Sequence, residues 1–219
     1  MMDYEIKKSI VDVAHMMSDR GLVGTYEGNI SVKDGNRVYL TPSGQSKELL
    51  TEGKIIVTDL DGKVLEGQLT PTSETPMHTT VYKIRPDVKS VVHCHAPFCT
   101  AYAQANIPIE SKISPEFMIL FGKVPVIPYG TPGTLDIIKD IDEYLKDYDV
   151  VLLANHGVLA VGSSPLEAFS KTLSLEMLLR TEFIRKTIAG DKNTDLPEAE
   201  CAKLIAMGKG KHGNPVLRK

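Results

Sequence analysis

Tryptophan is absent from this 219-residue chain, and aromatic residues make up only 6% of it. The three cysteines, Cys94, Cys99 and Cys201, are too few and odd in number to imply a disulfide framework. Long apolar runs are missing as well, so no segment approaches the roughly 20 residues that a membrane-spanning helix needs. The first residues, Met2-Asp3-Tyr4-Glu5-Ile6-Lys7-Lys8, mix acid and base where a signal peptide would carry an apolar stretch. Neither sign of charge dominates: a net charge of -3 gives no reason to expect a nucleic-acid partner. What is present is ordinary for a soluble protein, with 42% apolar and 24% charged residues. The expectation is a cytoplasmic domain of enzyme size over residues 1–207, followed by a mobile basic tail over 208–219.

Periodicity supplies the elements. Ile6, Ile10, Val13, Ala14 and Met17 recur every three or four residues and predict a helix over 4–20. Strands at 30–33 and 37–41 flank Asp34-Gly35-Asn36, and strands at 55–60 and 63–66 flank Asp61-Gly62, two hairpin patterns. Ser73 is the expected N-cap of a helix through Tyr82, with Pro76 in its first turn. Further strands are expected at 88–94, 124–127 and 149–154, then from 158 to 161, with a short helix over 98–105. Thr134 is read as capping a helix to Leu145, and Ser164-Pro165 as opening a long helix that ends near Gly190. Helices at both ends and hairpin-linked strands between them suggest one layered α/β domain with a largely antiparallel sheet.

Val91-Val92-His93-Cys94-His95 ends an apolar strand with two histidines two residues apart. Strand geometry turns both imidazoles to one face, where they can share an ion. Two satisfied histidines at a strand edge would give the same spacing. His156, just past another apolar strand and followed by Gly157, completes the three-nitrogen set of an open catalytic metal site. Cys94 points away from its histidine neighbours and is read as a small core residue. Glu74 begins a helix and, alone, is an acid complementing the helix dipole. His78 is a candidate support group or a plain core histidine, and His15 is assigned nothing. Gly28-Asn29, Ser43-Gly44 and Thr72-Ser73 lie in small, hydroxyl-rich loops that match no nucleotide fingerprint. Such loops bind a single phosphate through backbone N–H groups and hydroxyls, or are ordinary turns.

Five motifs stand in order: Gly28-Asn29-Ile30-Ser31-Val32-Lys33, Thr41-Pro42-Ser43-Gly44, Thr72-Ser73-Glu74, His93-Cys94-His95-Ala96 and Asn155-His156-Gly157. Together they resemble the class II aldolase/adducin family, above all its L-fuculose-1-phosphate aldolase branch, over residues 5–185. The resemblance implies a three-layer α/β/α fold with a central, mainly antiparallel sheet, and a homotetramer with active sites between subunits. It implies zinc, or manganese or cobalt, on His93, His95 and His156, with Glu74 as fourth ligand and acid–base group. Gly28, Asn29, Ser43, Gly44, Thr72 and Ser73 fall where the family holds a substrate phosphate. The activity implied is reversible cleavage of a ketose 1-phosphate to dihydroxyacetone phosphate and an aldehyde. The sugar is like L-fuculose 1-phosphate, or is a 5-deoxy or methylthio pentulose 1-phosphate.

Two departures touch the aldehyde side. The fuculose phosphate enzymes place a proton-donating tyrosine after an Ile-Pro pair. Here the segment from Ala103 to Pro128 has no tyrosine and offers Lys112, Glu116 and Phe117. An aromatic residue expected after Tyr129 is replaced by Thr131-Pro132-Gly133. Ribulose-phosphate 4-epimerases of this fold carry aspartate in place of Glu74, which favours an aldolase. Dehydratases of the same fold keep the glutamate, and an adducin-like binding module would lack the metal.

Overall fold

In the computed structural model the described residues are 2–190 and 192–208. The expected tail, beyond Gly208, lies outside them. One eight-stranded sheet, in the order β4-β3-β2-β1-β5-β8-β7-β6, organises the chain. Its strands are β1 (Asn29–Asp34), β2 (Arg37–Leu40), β3 (Ile56–Asp59), β4 (Val64–Glu66), β5 (Ser90–Cys94), β6 (Val126–Ile127), β7 (Val150–Leu153) and β8 (Gly157–Gly162). Every pairing is antiparallel except β6 with β7. The helices are α1 (Asp3–Asp19), α2 (Thr75–Ile84), α3 (Pro97–Ala105), α4 (Pro115–Leu120), α5 (Ile141–Leu145), α6 (Pro165–Ala189) and α7 (Glu198–Gly208).

Alternation along the strands splits the core in two. Val92, Cys94, Val158 and Ala160 face one layer, where they pack with Ile6 and Ile10 of α1, Cys99 of α3, and Phe169 and Leu175 of α6. Val91, Leu159 and Val161 face the other, against Met77, Val81 and Tyr82 of α2 and Ile141 and Leu145 of α5. This is the expected α/β/α arrangement, and it follows from apolar residues on both faces of the central strands.

Three local expectations differ from the structure. Ser73 is not the cap of α2; the cap position is Glu74, whose side chain makes no capping bond. Thr72 closes the turn instead, its Oγ1 accepting the Glu74 N–H and its carbonyl accepting the Thr75 hydroxyl at 2.6 Å. The helix expected from Thr134 to Leu145 is broken: Thr134 caps a 3-10 turn over Leu135–Ile138, and α5 begins only at Ile141. The β-branched isoleucines and the aspartates of this segment are poor helix formers, and Asp140 leaves helical geometry with ψ 8°. The segment after Ile107-Pro108 holds an unforeseen helix, α4, capped by the Ser114 hydroxyl and opened by Pro115.

A buried ion cluster ties the two layers across the sheet edge. Asp149, 5% exposed at the start of β7, lies 3.0 Å from both Arg85 and Lys171, which are themselves buried. Removing the shared anion leaves Arg85 with the more exposed Asp87 and Lys171 with the more exposed Glu167 as their remaining carboxylates, so Asp149→Asn is expected to cost about 3 kcal/mol. Urea unfolding measures this, and a change below about 0.5 kcal/mol, typical of an exposed site, would contradict the reading.

Candidate metal centre

The pairing of β1 with β5 sets Asn29 opposite His93. β5 delivers His93 and, just past its end, His95; the tight link from β7 to β8 delivers His156. Asn155 makes that link with φ 58°, a left-handed geometry that asparagine tolerates. Two glycines let the backbones close in around the imidazoles. A Cβ on Gly157 would lie 2.6 Å from the Cys94 carbonyl and 2.9 Å from the His95 ring, and one on Gly28 would lie 2.9 Å from the His93 carbonyl. Glu176 of α6, 6% exposed, supports the far side: its carboxylate accepts the Phe98 and Cys99 N–H groups at the start of α3, directly after His95.

The three histidines meet. One ring nitrogen from each lies within 4.8 Å of the others. The ring centroids are 4.5 Å apart for His93 and His156, 4.9 Å for His95 and His156, and 5.2 Å for His93 and His95. His93 Nδ1 donates to the Val158 carbonyl at 2.9 Å, which leaves Nε2 as a lone pair turned into the cluster. Burial drives all three imidazoles below their ordinary pKa, His156 to about 4, so each is neutral and able to act as a ligand.

Glu74 enters this group from α2. Its Oε2 accepts the Asn29 amide at 2.7 Å and lies 3.5 Å from His93 Nε2, while Oε1 lies 3.5 Å from His156 Nε2. Burial works to raise this carboxyl, but His93 beside it and the Asn29 bond hold it below the usual carboxylate value. Glu74 Oε1, His93 Nε2 and His156 Nδ1 are buried polar atoms without a hydrogen-bond partner among the described residues. Of these, Glu74 Oε1 and His93 Nε2 face the histidine cluster; unsatisfied groups there are what a divalent cation would satisfy, and three imidazoles with a carboxylate suit zinc or a similar ion. Cys94 stays out of the cluster, buried in the core with its thiol pushed up to about 12.

Each residue singled out from the sequence lines the same cleft of about 190 Å³: Gly28, Asn29, Ser43, Gly44, Thr72, Ser73, Glu74, His93, His95 and His156. The Ser43 N–H donates to the Thr70 carbonyl and the Thr72 N–H to the Thr41 carbonyl, which clasps two of the loops together. Asn29 is engaged with Glu74 on one side and His78 on the other. Pro132, from the Thr131-Pro132-Gly133 segment noted in the sequence, also lines the cleft, as do Tyr26 and Glu27, which were not foreseen. Nor was Lys47, whose buried ammonium donates to the Tyr26 and Gln45 carbonyls and bridges two cleft loops. Burial lowers that lysine to about 8. Nothing in the order of residues signals Lys47, because its partners are backbone carbonyls, one of them on another loop. The three side chains offered by the tyrosine-free segment lie elsewhere. Phe117 is in the core, Lys112 pairs with Glu198 at 2.6 Å, and Glu116 accepts from Ser114 at 2.8 Å.

Residues 8–183 match the family model described as Class II Aldolase and Adducin N-terminal domain. The chain belongs to this family. Among class II aldolase relatives, an L-fuculose phosphate aldolase of Methanococcus maripaludis is 32% identical over 176 residues, 80% of this chain and 95% of that one. A 3-oxo-tetronate 4-phosphate decarboxylase of Haemophilus influenzae is 34% identical over 215 residues, 95% of this chain and 100% of that one. A solved L-fuculose 1-phosphate aldolase superposes with a TM-score of 0.84 at 27% identity, covering 93% of this chain and 96% of that one. No helix among the described residues is long and apolar enough to cross a membrane.

Two measurements probe this centre. Purified protein is expected to hold about one divalent ion per chain, with His93→Ala losing most of it and Gly157→Ala binding it about tenfold more weakly. Metal analysis that finds full occupancy in both variants would remove the histidines from the role. The second concerns acid. Burial pushes His78 down to about 3 from an ordinary 6.5, so between those pH values only the unfolded chain takes up this proton. Stability therefore falls as pH falls through that window, by at most about 1.4 kcal/mol per pH unit for this one group. His78→Gln should flatten the slope of unfolding free energy against pH, and an unchanged slope would show that the acid sensitivity arises elsewhere.

Proposed function

We propose that the chain is a metal-dependent lyase that cleaves a ketose 1-phosphate into dihydroxyacetone phosphate and an aldehyde. One observation carries the reading: Glu74 Oε1 is buried, unpartnered and 3.5 Å from His156 Nε2, at the end of a cleft walled by Gly28, Ser43, Gly44, Thr72 and Ser73. Glu74 is both the fourth ligand at rest and the proton carrier. The hydroxyl and glycine loops take the phosphate through neutral donors, Ser43, Thr72 and Ser73 with backbone N–H groups. A divalent ion on His93, His95, His156 and Glu74, zinc or else manganese or cobalt, supplies a Lewis acid for negative charge developing on the substrate's carbonyl side.

The residues divide the work as follows. The loops fix the phosphate end and so bring C2 and C3 of the sugar beside the Glu74 carboxylate. A base removes the C4 hydroxyl proton, the C3–C4 bond breaks, and its electrons form the C2–C3 enediolate as C4 becomes the aldehyde carbon. Protonation at C3 then gives dihydroxyacetone phosphate. Oε1 of Glu74 is the atom assigned to carry that proton, gaining it as the C4 hydroxyl is deprotonated and delivering it to C3. Exposed Tyr26 and Tyr129, and Phe183, Ile184 and Ile188 on α6, support burial against further copies of the chain in a homotetramer.

A second reading has its own support. The decarboxylase relative aligns over 95% of this chain, and the tyrosine that serves the aldehyde half in fuculose phosphate enzymes has no counterpart in the 103–128 segment. Loss of carbon dioxide from a 3-oxo-tetronate 4-phosphate breaks the bond to the carboxyl carbon and leaves the same three-carbon enediolate. That leaving half carries no hydroxyl proton, so it needs no donor or base on its side.

The deciving experiment is therefore a substrate panel that follows dihydroxyacetone phosphate. The expected result is its release from a ketose 1-phosphate with an equal amount of aldehyde, reduced about 10² to 10⁴-fold in Glu74→Gln, the usual range for a lost acid–base group. Release with carbon dioxide from 3-oxo-tetronate 4-phosphate alone would select the second reading. No release from either class would overturn both.

A further inference from the structure

Behind Glu74 runs a buried row of polar side chains that the lyase reading does not use. Asn29 Nδ2 donates to Glu74 Oε2 at 2.7 Å, and Asn29 Oδ1 meets His78 Nε2 at 2.5 Å. His78 Nδ1 meets Ser31 Oγ at 2.6 Å, and Ser31 Oγ meets the Tyr82 hydroxyl at 2.6 Å. Ser31 and His78 are fully buried, and Tyr82, Glu74 and Asn29 are each no more than 6% exposed.

Proton order in this row is dictated from its charged end. A carboxylate only accepts, so Asn29 must turn its NH₂ toward Glu74 and its oxygen toward His78. That oxygen requires a proton on His78 Nε2. Burial keeps His78 neutral, so it carries a single ring proton, and Nδ1 is left as a lone pair. Ser31 must then donate to Nδ1 and accept from the Tyr82 hydroxyl, whose oxygen is in turn bonded by the Val91 backbone. Every donor in the row points toward Glu74. The reverse order would set the Asn29 oxygen against the carboxylate and waste the one strong acceptor in the group.

We infer that Asn29, His78, Ser31 and Tyr82 are positioning residues that pin Glu74 Oε2 as a fixed acceptor and leave Oε1 as its working oxygen, with His78 as the Nε2–H tautomer. A carboxylate without this anchor could rotate and exchange its two oxygens. With Oε2 already met by an N–H, a proton taken up by Glu74 goes to Oε1, the atom nearest His156. The kinetic part of this inference rests on Glu74 as the proton carrier; the tautomer does not.

The test is nitrogen-15 spectroscopy of histidine-labelled, metal-loaded protein near neutral pH. His78 is expected as the neutral Nε2–H form, and Ser31→Ala should move its Nδ1 resonance downfield by removing the donor. Solvent exchange of the dihydroxyacetone phosphate carbon-bound proton gives the kinetic arm. His78→Leu and Ser31→Ala should lower its maximal rate about tenfold or more, the usual effect of losing an outer support, while the KM stays within about twofold. Ser31→Ala serves where His78→Leu fails to fold. A His78 proton on Nδ1 would overturn the inference, and so would an unchanged exchange rate in a folded variant of either kind. Failure of the lyase reading looks different: no exchange in the wild-type protein, with the Nε2–H tautomer still in place.

Discussion

The antiparallel pairing of β1 with β5 is the constraint on which the site depends. Its register puts Asn29 opposite His93, and a slip of one residue would turn His93 and the Asn29 side chain to the α1 face of the sheet. Gly28 makes the approach possible, because any side chain there would collide with the His93 carbonyl and with Val23. From this pair the rest follows outward. Asn29 takes Glu74 from α2, and β8, paired on the other side of β5, brings Gly157 and with it His156. β1, β5 and β8 are thereby fixed to one another by backbone hydrogen bonds, and Glu74 joins them through its side-chain bond to Asn29. This is a rigid way to hold groups whose spacing decides whether an ion can be shared.

Burial then gives these groups their chemical character. Taken alone, it pushes the Glu74 carboxyl up and the imidazoles down. The imidazoles yield and stay neutral. The carboxyl does not, because the Asn29 amide donates a hydrogen bond that favours its charged form. The result is one anion facing three neutral donors in a pocket with polar atoms to spare. That is a poor arrangement for stability by itself and a good one for a divalent cation. The same burial makes Cys94, which sits between two of the histidines in sequence, a weak and inward-facing thiol.

Much of this was legible in the residues. Period-two patterning around Val91 to His95 gave the strand and the shared face of its histidines, and the Gly157 that follows His156 marked a close approach that the structure contains. The loops at Gly28, Ser43 and Thr72 came together as expected. What escaped the reading escaped for identifiable reasons. Ser73 looked like a cap because cap chemistry is local, yet Thr72 closes the turn and Glu74, at the cap position, is drawn to Asn29 by a contact spanning 45 residues. The break at Asp140 reflects a weak helical sequence that only tertiary packing resolves. The α4 cap, Ser114-Pro115-Glu116, was visible as a pattern and simply passed over. Lys47 and Glu176 each reach the backbone of a distant segment, Tyr26 and Phe98, which no local pattern reports.

The two reactions named by the relatives differ less than their names suggest. Both break a carbon–carbon bond beside a carbonyl and leave a three-carbon enediolate bearing a phosphate; only the departing fragment changes. In the proposed reaction the shared half would be served by the buried, mutually constrained groups of the cleft: Glu74 and Asn29 behind the histidines, with Thr72 on the neighbouring loop. Tyr26 and Pro132 line the same cleft from exposed loops. A substitution among the first set disturbs a register, a glycine contact or a buried hydrogen bond. One among the second changes only what fits. Variation in the family should therefore accumulate on the exposed walls of the cleft, where Tyr26 and Pro132 stand in this chain.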